Sequence, residues 1–159
     1  MRRYRHLLFI LATCLTTGSA LVGYFLWQRY YVQPFSCQAN LVQHHPEETL
    51  SLWLNYIFDG NSGTLSMNGR VQSDPTKIID RKIPFRVERK DSVYFLTSDK
   101  NMKFPDDNVE DEWLAKYEPQ FFVYPGKSIY IRINEQQNGN YLFTLGTLPT
   151  YMCRSSKKE

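Results

Sequence analysis

Between positions 7 and 27 the chain reads LLFILATCLTTGSALVGYFLW, a run without a single charge. At about 1.5 Å per residue, a helix of that length matches a hydrocarbon core about 30 Å thick. Arg2, Arg3 and Arg5 precede the run and only Arg29 follows it closely. That asymmetry predicts a cytoplasmic N-terminus and an exported remainder. Trp27, Tyr30 and Tyr31, with Tyr24, fall where an outer interfacial belt of amphipathic rings belongs. The expected organisation is a basic tail over 1–6, a span of a bacterial inner membrane over 7–27 and a juxtamembrane linker over 28–35. A periplasmic domain over 36–153 and a flexible tail over 154–159 complete it. The competing reading is a signal sequence cleaved after Ala20, with residues 7–15 as its apolar region and Gly18 and Ala20 as the small residues before the cut. The apolar run continues through Leu21, Val22, Tyr24, Phe25, Leu26 and Trp27, which favours the span. Both readings export the same domain. Thr16, Thr17, Gly18 and Ser19 would let a second membrane helix approach closely, a feature common to membrane helices in general.

The net charge of +3 is mildly basic, but Arg2, Arg3, Arg5 and Arg29 supply four of the 19 Lys and Arg residues. The remaining 15 face 16 acids, so the outer domain carries about −1. Phosphate neutralisation needs a clustered cationic excess, and this balance excludes direct nucleic-acid binding. Cys14 lies inside the apolar run as a small filler. Cys37 and Cys153 stand near the two ends of the outer domain, in a compartment where disulfides persist, and are expected to pair and staple the first strand to the last. A redox pair would normally show a C-x-x-C spacing, which is absent.

Period-two alternation bounded by turn residues predicts antiparallel strands over 36–43, 50–58, 64–73, 77–90, 93–98, 121–124, 127–136 and 140–145. The sequence DGNSG at 59–63 and the Asn138-Gly139 pair are hairpin signals. Gly69 suggests a bulge or bend, and Pro84 an edge or a bulge. Residues 106–119 open with acids, place Val109, Trp113 and Tyr117 at helical spacing and stop at Pro119, which predicts one short amphipathic helix. The fold expected is mainly β: seven to eight strands in a small antiparallel barrel or sandwich, with one helix.

Catalytic material is thin. His44 and His45, near Glu47 and Glu48, would point to opposite faces of a strand, so a polar loop is favoured over a metal site. The acids Asp106, Asp107, Glu110, Asp111 and Glu112 lack the glycine and spacing of an EF-hand loop and read as helix-start acids. No G-x-S-x-G is present, and no histidine follows position 45. No enzyme activity, cofactor or metal is expected. Bulky residues on both parities, as in Leu52-Trp53-Leu54 and Tyr94-Phe95-Leu96, imply a second apolar face that the fold itself, a partner or an amphipathic ligand must cover. Trp53, Trp113 and Phe122 are the candidate residues of that surface.

The basic start and single span, FDGNSGTLSMNGRV, the late FFVYPGKSIYIRI block and the closing PTYMC resemble the FidL-like family of enterobacterial membrane proteins, YqeJ-like members included. The resemblance covers essentially the whole chain and carries no catalytic signature. It implies a companion of ToxR-like or CadC-like regulators, whose cytoplasmic winged helix is tethered by one span to a periplasmic sensor domain. In the similar VtrC type of companion, the pair completes a lipocalin-like barrel that binds bile salts, and no ligand residue carries over. With about six residues on the cytoplasmic side, any signal would have to pass through such a partner. The expected function is therefore a non-catalytic, membrane-anchored co-sensor. A free-standing lipocalin-like module for an amphipathic small molecule is the alternative.

Overall fold

The computed structural model describes residues 2–30 and 32–156, and the side chains of Arg2, Arg3, Arg5 and Tyr30, like all of Tyr31, lie outside the described set. The apolar N-terminal run forms α1 (Arg2–Tyr30), within which Ile10–Trp27 is long and apolar enough to cross a membrane by length and composition. None of that window is buried against the rest of the chain. Trp27 is 54% exposed at its end.

The remainder is built from β1 (Phe35–His44), β2 (Thr49–Asp59), β3 (Ser62–Val71), β4 (Ile78–Lys90), β5 (Val93–Ser98), β6 (Met102–Lys103), β7 (Ser128–Glu135), β8 (Tyr141–Leu145) and β9 (Leu148–Ser155). Eight of them close into an antiparallel barrel in the order β1-β2-β3-β4-β5-β7-β8-β9, with β9 returning to β1, and the two-residue β6 pairs with β4 outside the ring. The choice between barrel and sandwich is thereby settled as a barrel. Tight turns do the reversing: Gly60 adopts φ 61 in the two-residue β2–β3 connection, and Gly139 adopts φ 74 between β7 and β8.

On β2, β3 and β4 inward positions alternate with outward ones and fill the interior. Leu50, Leu52, Leu54, Tyr56 and Phe58 on β2, Leu65 and Met67 on β3, and Ile79, Ile83, Phe85 and Val87 on β4 are all 3% exposed or less. Closing eight strands requires sharp local curvature, and glycine supplies it where a side chain would collide. A Cβ at Gly69 would stand 2.5 Å from Leu52 Cδ2 and 2.8 Å from the Ser51 carbonyl oxygen. Pro84 sits where the neighbour of β4 changes from β6 to β5. Its carbonyl accepts from the Asp99 N–H at 2.9 Å, and its missing N–H falls in the gap between partners.

Two predicted elements differ. Residues 121–124 are not a strand: Gln120–Phe122 is a 3-10 turn whose Phe121, Phe122 and Val123 are buried. The Phe122 and Val123 carbonyls accept from Asn101 Nδ2 instead of from a ladder. The helix expected over 106–119 contracts to α2 (Asp111–Leu114), because the preceding acids serve an ion pair rather than a helix start. The connection between β5 and β7 thus lies across the end of the barrel opposite α1. Phe121 packs on Phe85 at 5.9 Å and Tyr117 on His45 at 5.1 Å. At the α1 end, Val32 is fully buried, and Phe35 stacks between Phe58 at 4.4 Å and Tyr141 at 4.3 Å.

Candidate functional site

One joint of the barrel wall is incomplete. Where β1 and β2 are in register over the whole of β1, β1 and β9 are paired, among the described residues, at Cys37–Ser155 and Gln38–Arg154, supplemented by Ser156 N–H donating to the Ser36 carbonyl at 2.9 Å. Backbone groups alternate sides in an antiparallel strand, so the even-numbered residues of β1 face β9. Beyond Gln38 the strands part, and Asn40 and Val42 have no register partner on β9 among the described residues. The gap is a cleft of about 980 Å³ lined by Gln38, Asn40, Leu41, Tyr151, Met152 and Arg154 among others. Val42 beside it is 57% exposed and Met152 44%. The Cys37–Cys153 disulfide, with Cα atoms 5.4 Å apart, pins the two strands at the level where pairing stops.

Behind the cleft the barrel interior turns polar. The Tyr56 and Tyr151 hydroxyls are 2.8 Å apart, a bond that passes the inner face of β1. Burial holds both phenols above their ordinary range. Glu118, carried by the segment that caps the barrel, is 5% exposed and hydrogen-bonded to Gln43 of β1. Its Oε1 has no hydrogen-bond partner. Its charge acts on both Tyr56 and Tyr151, which places the carboxyl among β1, β2 and β9. His45 Nε2 lies 3.4 Å from Gln43 Oε1 and extends the polar line to the barrel rim.

Burial pushes the Glu118 carboxyl up to about 7, against a weaker opposing hydrogen bond from Gln43. The folded chain therefore keeps this proton at pH values where the unfolded chain, with a Glu pKa of about 4.3, has released it. Protons bound in excess by the native state make stability fall as pH rises, so the contribution is complete below about pH 4 and lost through pH 7. Glu118→Gln is expected to flatten that slope. Above pH 7 it should exceed the parent by up to roughly 3 kcal/mol in denaturant titrations. An unaltered slope would show that water already reaches the carboxylate.

The cap is locked by a charge that the interior would otherwise exclude. Arg81, fully buried on β4, directs Nε to Asp107 Oδ2 at 2.8 Å, Nη1 to Asp111 Oδ1 at 2.8 Å and Nη2 to the Val109 carbonyl at 3.0 Å. Lys103 Nζ reaches the same carbonyl at 2.7 Å.

The aromatic residues expected to form one surface are not gathered. Trp53 is 49% exposed on the outer face of β2, lining a cleft with Asn68, Arg70, Ile78 and Asp106. Trp113 is half-buried on α2, against Tyr117 at 4.8 Å and under Lys77 Nζ at 4.7 Å. Phe122 is corrected from surface to core: at 4% exposure its ring closes the barrel end beside Phe121. The outward aromatic pair that does form is Phe95 with Tyr130, opposite each other on β5 and β7 at 4.8 Å. The seam and Glu118 carried no motif. Their signals were an acid directly after Trp113 and Tyr117 on the apolar side of the cap and a tyrosine two residues before the closing cysteine. Among the described residues no cluster of three or more His, Cys, Asp or Glu side chains gathers to hold a metal.

No solved structure matches this chain. Among curated proteins it is similar to "Uncharacterized protein YqeJ" of Escherichia coli (strain K12), with 29% identity over 124 residues that cover 74% of this chain and 77% of that one. The family described as the YqeJ C-terminal domain matches residues 34–153, which takes in β1 to β8, β9 as far as Cys153 and both half-cystines, and the chain belongs to that family.

Proposed function

We propose that this chain is a single-pass inner-membrane protein, N-terminus cytoplasmic and barrel periplasmic, that acts without catalysis as a co-sensor for a ToxR-like or CadC-like membrane regulator. The observation that carries the reading is the unfinished β1–β9 joint. Unpaired strand backbone is a template for an added strand, main-chain bonds supplying affinity and alternate side chains specificity. The regulator's outer domain contributes an extended segment that lies between Asn40 and Met152, beside the exposed Val42. The apolar window Ile10–Trp27, the basic residues before it and a disulfide typical of oxidising compartments support the placement. The FidL-like resemblance supports the choice of partner.

A photo-crosslinking residue placed at Asn40 or Met152, in membranes of the native host, is expected to capture a membrane-bound winged-helix regulator, and the same residue at Glu88 on β4 is expected not to. Equal capture from all three positions, or capture of chaperones and lipids alone, overturns the docking. As a free-standing module for an amphipathic molecule the barrel has the right closure. Its interior is filled by Tyr56, Phe58, Phe85, Phe121 and Phe143, so such a ligand would also have to use the seam.

A further inference from the structure

Deepening that reading, and resting on it for the identity of the occupant, we infer that Glu118, with Gln43, Tyr56 and Tyr151 around it, is a subsite inside the β1–β9 seam for an ammonium or guanidinium group carried by the inserted segment. Three features point to a cation. The carboxyl is 5% exposed, yet Oε1 receives no hydrogen bond, and a buried acceptor left unpaired is destabilising, the more so when charged. The groups nearby already have partners: the two phenols share one hydrogen bond, and Gln43 holds Glu118 on one side and His45 on the other. Around the carboxyl the groups so named are an amide, two phenols and an imidazole at the rim, with no lysine or arginine among them.

The seam supplies the route. Leu41 and Tyr151 line the cleft from β1 and β9, Gln43 is the next inward residue after Leu41, and Tyr151 feels the Glu118 charge from the other side. In an added strand, alternate side chains face inward. The inward residue opposite Leu41 or Gln43 is the one whose side chain can pass Tyr151. A lysine or arginine there reaches the carboxyl with its head group while its methylenes lie against Leu41, an arrangement suited to long cationic side chains. The recognition rule for the partner is thus one inward-facing basic residue in an otherwise apolar or neutral extended segment.

n-Butylammonium, the lysine side chain without its backbone, is the probe. Full-length chain in detergent micelles, labelled at the glutamate carboxyl carbons, is titrated by NMR with n-butylammonium or with n-butanol at matched ionic strength. The signal missing from Glu118→Gln is that of Glu118. The ammonium is expected to lower its titration midpoint by about one pH unit or more, as an adjacent opposite charge does, and n-butanol is expected to leave it in place. The ammonium should also raise the melting temperature of the parent and not of Glu118→Gln, a variant that keeps the shape of the side chain. A midpoint unmoved by the ammonium, or an equal thermal shift in the variant, overturns the subsite. Crosslinking from Asn40 and Met152 reads the seam without touching Glu118. Capture of the regulator with an unmoved midpoint overturns the cation subsite and leaves the docking. A moved midpoint with no capture supports the subsite and overturns the docking.

Discussion

Replacing Cys37 and Cys153 together by alanine is expected to lower the unfolding free energy of the outer domain by about 2–5 kcal/mol and to lengthen the gap in its wall. The bond spans a sequence separation of 116, so its loss releases a long closed loop in the unfolded state. Chain entropy alone assigns a loop of that size about 4–5 kcal/mol, reduced by whatever structure the unfolded chain retains. The native-state consequence is more local. Among the described residues, two register pairs and the Ser156–Ser36 bond join β9 to β1 beside the disulfide, whereas β1 and β2 are zipped along their length. Without the covalent pin the remaining pairs are a fraying end, and the ring opens toward a curled sheet with two free edges. Denaturant titration of oxidised parent and double variant measures the first effect. Amide exchange at 37–39 and 153–155 against 52–56 measures the second, and is expected to accelerate in the former segments alone. A loss below about 1 kcal/mol with uniform exchange would assign the closure to the Phe35 stack instead.

Much of the barrel was legible because its strands obey one rule. Leu50 to Phe58 alternate without interruption and Ile79 to Val87 with the one exception of Arg81, and Gly60 and Gly139 stand at turns that need positive φ. Cysteine position and compartment sufficed for the pairing of Cys37 with Cys153. β9 was hidden by its own irregularity. Pro149 breaks the alternation at a shift of register with β8, where Leu145 N–H is satisfied by Thr150 Oγ1 rather than by a carbonyl, and the strand ends among polar residues that read as a tail. Residues 121–124 were misread because Phe-Phe-Val-Tyr has strand composition, and composition does not report that Asn101 and Ser98 take up the backbone carbonyls of that segment. The parting of β1 from β9 has no motif in the sequence. Whether two strands stay paired past Gln38 depends on how they diverge in space, and the alternation of β1 is the same on either side of that point.

Arg81→Ala is expected to be destabilising by about 3–5 kcal/mol, the effect of stranding a buried charge rather than the worth of a salt bridge. Arg81 occupies the inward parity between Ile79 and Ile83, where the alternation calls for an apolar residue, and that mismatch is the sequence signal for it. Its partner Asp107 has a fully buried side chain that also accepts from the Asp80 N–H at 3.0 Å and the Val109 N–H at 3.2 Å. Truncating the arginine leaves that buried carboxylate only the partly exposed Lys103 ammonium, 3.7 Å away, as counter-charge. The pair with Asp111 is one-third exposed on the aspartate side and is worth far less. Apolar replacement of both members, Arg81→Met with Asp107→Leu, removes the charge and its counter-charge together and is expected to recover most of the loss. The coupling in the double-mutant cycle should therefore exceed about 2 kcal/mol, and additivity within about 0.5 kcal/mol would rule the account out. The same cycle reads the link to the seam. Asp107, Val109 and Asp111 begin the cap that carries Glu118, so loosening Arg81 lets water reach that carboxyl. Its midpoint is expected to drop from near 7 toward the ordinary glutamate range in Arg81→Ala and to return in the apolar pair. A midpoint that stays high while stability falls would separate the two, leaving Arg81 as a support of the cap alone.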